Sequence, residues 1–134
     1  EKVEQALNKQ VRIEAESSQV YLAMASWAEV KGLEGVAAFM YMHSDEERMH
    51  MLKLVKYINE RGGHATISDL VAPKTAYGSP KEMFELLFKH LPSFKENFQW
   101  CILDKINLIG DDKGGLYLFD RDVKTLTVTP AATA

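Results

Sequence analysis

The sequence predicts an all-α fold, a helical bundle organised around two long antiparallel helices. Three observations carry that reading. Apolar or small residues recur at alternating spacings of three and four along two long stretches, the signature of one helical face. Each stretch stops at glycine, the residue that most readily closes a helix. The stretch between the second and third helices is then too long for a tight turn and has no helical period.

The first helix runs from Val3 to about Lys31 without Pro or Gly, and its stripe is Leu7, Val11, Glu14, Ser18, Tyr21, Ala25 and Ala28. Gly32 ends it. A second helix follows from near Glu34 to Arg61, with the stripe Val36, Met40, His43, Glu47, His50, Leu54 and Tyr57, and Gly62-Gly63 stops it. At 1.5 Å per residue each is ~42 Å long, and the short link at Gly32 makes them antiparallel neighbours. Residues His64 to Gly78 contain Pro73 and can span ~45 Å when extended, so the third helix starts at the same end as the second. Ser79-Pro80-Lys81-Glu82 marks that start with a capping box and Pro at the first helical position. Beyond it Pro92 and a second capping box, Ser93 to Glu96, interrupt a stripe (Phe84, Leu87, Leu91, Phe94, Phe98, Ile102, Ile106, Ile109) that stays in phase. One kinked helix and two short helices fit that pattern equally. Gly110 to Gly115 reads as a turn, Leu116 to about Leu126 as a short final helix on Leu116, Phe119 and Val123, and Thr127 to Ala134 as a frayed tail. The chain is thus a single domain, 1–134, made of a hairpin (1–63), a crossover (64–78), a shortened helical region (79–109) and a short helix with tail (110–134).

Composition removes several functions. With 134 residues, 46% hydrophobic and 26% charged, the chain has material for one core. A net charge of −3 offers no footprint for nucleic acid or an anionic membrane. Cys101 is the one cysteine, so no intramolecular disulfide is expected, and it reads as a small core hydrophobe. No apolar run reaches the ~18 residues of a membrane span, and Glu1-Lys2-Val3-Glu4 lacks the basic-then-apolar order of a signal peptide; the expectation is a cytoplasmic protein. There is no Gly-rich phosphate loop, no Gly-x-Ser-x-Gly and no Cys-x-x-Cys.

The two hairpin stripes share an anomaly. Glu14 sits between Val11 and Ser18, and Glu47 and His50 sit between Met40 and Leu54, where an amphipathic helix should be apolar. A buried carboxylate costs several kcal/mol, on the order of what a fold can spare, unless paired, protonated or metal-bound. Glu47 and His50, at i and i+3, form the Glu-x-x-His element of di-iron carboxylate bundles. Oxygen donors with one imidazole suit iron or manganese better than structural zinc. Glu-x-x-His alone arises often by chance; Glu14 at the matching depth of the facing helix is what raises it to a candidate site. Glu46 points partly away from the stripe and reads as solvated. His43 reads as a core histidine or a hydrogen-bond partner of the site, and Tyr21 as core, a partner of a metal ligand or a redox-active phenol. His64 and His90 read as surface residues. Met40, Met42, Met49 and Met51 read as packing.

These residues resemble the non-haem bacterial ferritins. The stretches LNKQVRIEAESSQVYLAMASWAE, GLEGVAAFMYMHSDEERMHM and INERGG, within Leu7 to Gly63, resemble their first two helices; ILDKINLIGDDKGGLYLFDRD, Ile102 to Asp122, resembles the end of their fourth helix and their short fifth. SPKEMFELLFKH and the long connection extend the match to most of the chain. The resemblance implies a four-helix bundle that binds two irons, oxidises Fe(II) to Fe(III) with oxygen or peroxide, and stores ferric mineral inside a homo-oligomeric shell, a 24-mer in the family. It implies that Glu14 is the first-helix ligand, Glu47 the bridging carboxylate and His50 the imidazole of the first iron, with Glu46 facing an additional iron. Bacterioferritins carry a haem-ligating Met directly after the bridging Glu; Arg48 stands there, so no haem is implied.

One departure is large. Lys89-His90 is followed by Leu91-Pro92 where the family continues with a Glu for the second iron, and Trp100 is followed at once by Cys101 where the family has a Glu-rich stretch. Four helices of this length with their connections need ~160 residues. The chain is short by about one helix, between His90 and Ile102. Three expectations follow: an iron-oxidising ferritin with a slowed or incomplete reaction; a shortened scaffold, completed as a dimer or another small closed oligomer, with little ferroxidase activity; or a plain helical interaction module in which Glu14, Glu47 and His50 are incidental.

Overall fold

A computed structural model describes residues 2–90, 105–110 and 112–123. Four helices are delimited: α1 (Lys2–Val30), α2 (Glu34–Glu60), α3 (Pro80–His90) and α4 (Lys113–Val123). Residues 105–109 are helical as well, and there is no strand among the described residues. The break at Pro92, the second capping box, Cys101 and the tail from Thr127 lie outside them.

The predicted ends of the long helices rest on local chemistry. At Gly32, with φ of 78°, Leu33 N–H donates to the Ala28 carbonyl (2.9 Å) and Gly32 N–H to that of Glu29 (3.0 Å). Gly62, with φ of 86°, repeats the pattern, Gly63 N–H reaching Ile58 O at 3.0 Å. These left-handed closures satisfy the last carbonyls of each helix, and only glycine adopts them freely. At the start of α3 the Ser79 hydroxyl accepts from Glu82 N–H (3.1 Å), while Glu82 reaches back to Gly78 N–H (3.0 Å).

The chain divides into two compact units. The first comprises Glu1–Ala23 and Met40–Lys74. Its apolar cluster is Val11, Ile58 and Ala65, with Leu7, Met51, Leu54 and Val55 packed against it. The Ser18 and Ser44 hydroxyls donate to each other's backbone carbonyls, both at 2.8 Å, which fixes α1 against α2. The crossover runs back along α1, as its length predicts: Glu4 accepts from His64 N–H (2.8 Å) and Asn8, one turn on, from Thr66 N–H (2.8 Å).

The second unit comprises Met24–Phe39 and Thr75–Ala134. Its core is aromatic: Trp27 meets Tyr77 edge-on at 5.4 Å, and Phe84 meets Phe119 edge-on at 5.9 Å. Asp120 of α4 caps the start of α2, accepting from Gly35 N–H (3.1 Å) and Val36 N–H (2.8 Å). A Cβ on Gly35 would overlap the Asp120 carbonyl oxygen. The close approach of the two backbones therefore requires glycine.

Three expectations change. The final helix begins at Lys113, inside the expected turn, because Asp112 caps it by accepting from Gly115 N–H at 2.8 Å. On α2 the buried residue after Leu54 is Ile58, whereas Tyr57 is 45% exposed; the 3.6-residue period favours the i+4 step there. Met40 is packed as expected, but Met49 is exposed. No helix among the described residues is long and apolar enough to cross a membrane.

Candidate metal centre

The first unit brings Glu14, Glu47 and His50 together. Each offers one ligand atom, and these atoms lie within 4.8 Å of one another. His50 Nδ1 is 3.9 Å from Glu14 Oε2 and 3.7 Å from Glu47 Oε2. The i,i+3 spacing places Glu47 and His50 one turn apart on α2. Ser18 and Ser44 stand one turn from Glu14 and Glu47 respectively, so their mutual hydrogen bonds hold the helices close where the carboxylates meet. Both glutamates are half-buried, and the His50 side chain is 54% exposed, which leaves the cluster open on the imidazole side.

The electrostatics are those of two crowded carboxylates. Glu47 is pushed up to about 8, first by burial, then by its hydrogen bond with Glu14 and the negative charges of Glu14 and Glu46. At neutral pH it keeps a proton that a cation would displace. The Tyr21 phenol is raised above its ordinary value, mainly by burial and then by Glu47, Glu46 and Glu14. It is thus a neutral hydroxyl beside a negative site.

Glu46 is not one of the three. It points to His43, whose Nδ1 lies 3.2 Å from its carboxylate. His43 is buried, as a core histidine would be, and its ring stacks on Tyr21 at 5.3 Å and 25°. Burial holds His43 below its ordinary value, against the opposing pull of Glu46. His64 is exposed, as expected; the His90 side chain lies outside the described residues. Gln10 went unnoticed in the sequence: its amide donates to Glu14 Oε1 at 3.0 Å. The signal was the i,i+4 spacing of Gln and Glu on one helix face.

A ferritin-like domain matches residues 4–99. The chain belongs to the ferritin family. This ferritin is 36% identical to a probable bacterial non-heme ferritin-like protein of Haemophilus influenzae, over 95% of the chain and 96% of the relative. It is 30% identical to a bacterial non-heme ferritin of Campylobacter jejuni, over 92% and 93%. Among solved structures, an open-pore ferritin of Archaeoglobus fulgidus superposes with a TM-score of 0.82 at 29% identity, over 95% of this chain and 98% of that one. A humanized archaeal ferritin gives 0.85 at 28%, over 96% and 98%. The fold is therefore the ferritin-like helical bundle with a shortened later region. The Haemophilus alignment extends over 159 positions, more than the 134 residues of this ferritin, so the relative carries residues with no counterpart here.

Proposed function

We propose that this ferritin binds Fe(II) as substrate at Glu14, Glu47 and His50, oxidises it to Fe(III), and stores the product. The observation that carries the reading is the meeting of two carboxylates and an imidazole from facing helices within 4.8 Å. Carboxylate oxygens favour Fe(III) over Fe(II), which drives the loss of one electron per iron. Two Fe(II) with two protons convert one O2 to H2O2; with peroxide as oxidant, two Fe(II) and two protons convert H2O2 to two waters. Glu14 and His50 act as terminal ligands and Glu47 as the central carboxylate, which gives up its proton as iron enters. Glu46, held by His43, adds negative charge that attracts the cation. The resident chemistry involves no haem, and the expected setting is the cytoplasm.

The reaction is slow, because the shortened region supplies no partner carboxylates by alignment and electrons leave one iron at a time. Stopped-flow absorbance of Fe(III) after adding Fe(II) in air tests this. Oxidation above the protein-free rate is expected, and it falls to that rate in Glu47→Ala/His50→Ala. Equal rates in the two proteins overturn the proposal.

A second reading is a scaffold that assembles but barely oxidises iron, favoured by the residues that the Haemophilus relative has in excess. It keeps a homo-oligomeric state, as the family's 24-mer shell or a smaller closed oligomer. Light scattering of the chain, combined with the oxidation assay, separates the two: an oligomer with protein-free oxidation rates favours the scaffold.

A further inference from the structure

We propose that Met49 is a modification site, an exposed thioether that takes up hydrogen peroxide as methionine sulfoxide and so spares the neighbouring His50. The inference rests on the proposed iron oxidation, which makes one H2O2 from each O2. The six methionines of the chain differ widely in access. Met24, Met40 and Met83 are exposed by 1% or less, Met42 and Met51 are half-buried, and Met49 is 56% exposed. Peroxide in solution therefore reaches the Met49 sulfur first, because exposure governs how readily a thioether oxidises.

The helix places that sulfur beside the open edge of the centre. Successive residues are about 100° apart, so His50 lies about 60° round α2 from Glu47 and Met49 about 160° round in the same direction. Glu47 is turned to α1, the His50 side chain is 54% exposed, and Met49 is its outer neighbour. Met51 stands on the other side of His50 and packs against the cluster of Val11, Ile58 and Ala65. A polar sulfoxide at Met51 would disturb that packing, whereas at Met49 it enters solvent.

The step needs no further reactant. A lone pair of the Met49 sulfur attacks one oxygen of H2O2, an S–O bond forms and the O–O bond breaks. The departing hydroxide takes the proton of the transferred oxygen and leaves as water. Sulfur is oxidised by two electrons and the peroxide is reduced by two. One methionine thus removes one peroxide, the yield of two Fe(II). Protection covers the first turnover of each chain and extends beyond it where a methionine sulfoxide reductase restores the thioether.

The test follows the mass gained by each methionine of the full chain. Trypsin cuts after Arg48 and Lys53, so one short peptide carries Met49, His50 and Met51, and its fragment ions tell them apart. With hydrogen peroxide as the only addition, Met49 is expected to oxidise about tenfold faster than Met42 or Met51, with Met24, Met40 and Met83 unchanged. Equal rates, or a faster Met51, overturn the assignment whatever the chain does with iron. The second arm is Fe(II) in air with catalase present to clear peroxide from solution. Met49 sulfoxide is expected to keep forming in the wild type and to drop about tenfold in Glu47→Gln, which keeps the shape of the centre but loses a ligand charge. Fe(III) formed without Met49 sulfoxide, or sulfoxide undiminished in Glu47→Gln, overturns the capture and leaves the proposed function standing. No Fe(III) above the protein-free rate overturns both. Met49→Leu, similar in shape but without sulfur, should form Fe(III) at the wild-type initial rate, while its His50 gains oxygen several-fold faster over repeated additions of Fe(II). Unchanged His50 oxidation in Met49→Leu overturns the sparing role.

Discussion

The two units of this ferritin draw on the same pair of helices, and each has its own kind of internal contact. In the unit that includes Met24–Phe39, contacts are apolar and tight: Phe84 and Leu87 are fully buried, aromatic rings meet edge-on, and α4 approaches the start of α2 so closely that only glycine fits at 35. In the unit that includes Glu14, Glu47 and His50, two serines add polar contacts to the apolar cluster between the helices, and the adjoining face carries carboxylates whose crowding, with burial, raises the proton affinity of Glu47. The second unit rests on packing and a helix cap. The first, which holds the carboxylates, has an arrangement that a cation improves. Stability and binding are thereby separated along α1 and α2, and substitutions in the two units should report different quantities.

The largest effect belongs to Gly35→Ala. The added methyl meets a backbone oxygen, which cannot rotate away, so α2 and α4 must separate and the Asp120 cap must loosen. Overpacking of this kind costs about 3 kcal/mol. Urea unfolding should show that loss, with metal affinity per folded chain unchanged. A loss below about 1 kcal/mol would mean that α4 does not press on α2 in solution.

The next effect tests the other unit and depends on pH. Glu47 in the folded chain keeps its proton to about pH 8, whereas the unfolded chain releases it near the ordinary 4.5. Between those values the native state binds more protons than the unfolded one. The contribution to stability is therefore full below 4.5 and is lost as pH rises through about 8. Without metal, the chain should lose on the order of 1–2 kcal/mol across that window, solvent screening included. Glu47→Gln should flatten the profile and abolish Mn(II) binding. Saturating Mn(II) should reverse the slope in the wild type, because the cation needs the ionised form. A metal-free profile that rises with pH would contradict the crowding of Glu14 and Glu47.

How much of this was legible in the sequence follows from the range of each interaction. Helix ends depend on residues within one turn, so Gly32, Gly62 and Ser79 announced themselves. The candidate centre was legible because Glu47 and His50 share a turn and Glu14 breaks an apolar stripe at the matching depth. Asp120 was not, since it caps a helix at Gly35, 85 residues earlier, and nothing near Gly35 calls for a carboxylate. The early start of α4 hid behind Gly114 and Gly115, which read as turn residues until Asp112 is seen to cap them. Whether Glu46 joins Glu47 was also beyond sequence, because adjacent residues on a helix point 100° apart and only the position of His43 shows where Glu46 turns.

A smaller effect compares caps with packing. Asp120→Ala removes both acceptors at the start of α2 but leaves the Gly35 contact, which is made by backbone. The cost expected for a lost cap is about 1 kcal/mol, a third of that for Gly35→Ala. Asp120→Asn keeps an acceptor and should cost about half as much, the remainder being the charge at the helix N-terminus. If Asp120→Ala proves as damaging as Gly35→Ala, the carboxylate rather than the close backbone approach holds α4 in place.

The smallest effect bears most directly on the division of labour. Ser44→Ala removes the hydroxyl that donates to the Ser18 carbonyl, while the Ser18 hydroxyl still donates to the Ser44 carbonyl at 2.8 Å. Half of the reciprocal pair survives, so the expected loss is about 0.5 kcal/mol. Ser44→Val tests something else: it puts two methyls at a buried position where α1 and α2 touch, and it is expected to move Glu14 away from Glu47 and His50. Mn(II) affinity should then fall by about tenfold or more. Calorimetric titration beside urea unfolding distinguishes these outcomes. Affinity that tracks stability in both variants would make the serines ordinary packing residues. Affinity lost in Ser44→Val and retained in Ser44→Ala would show that helix spacing, rather than hydrogen bonding as such, is what the pair contributes to the centre.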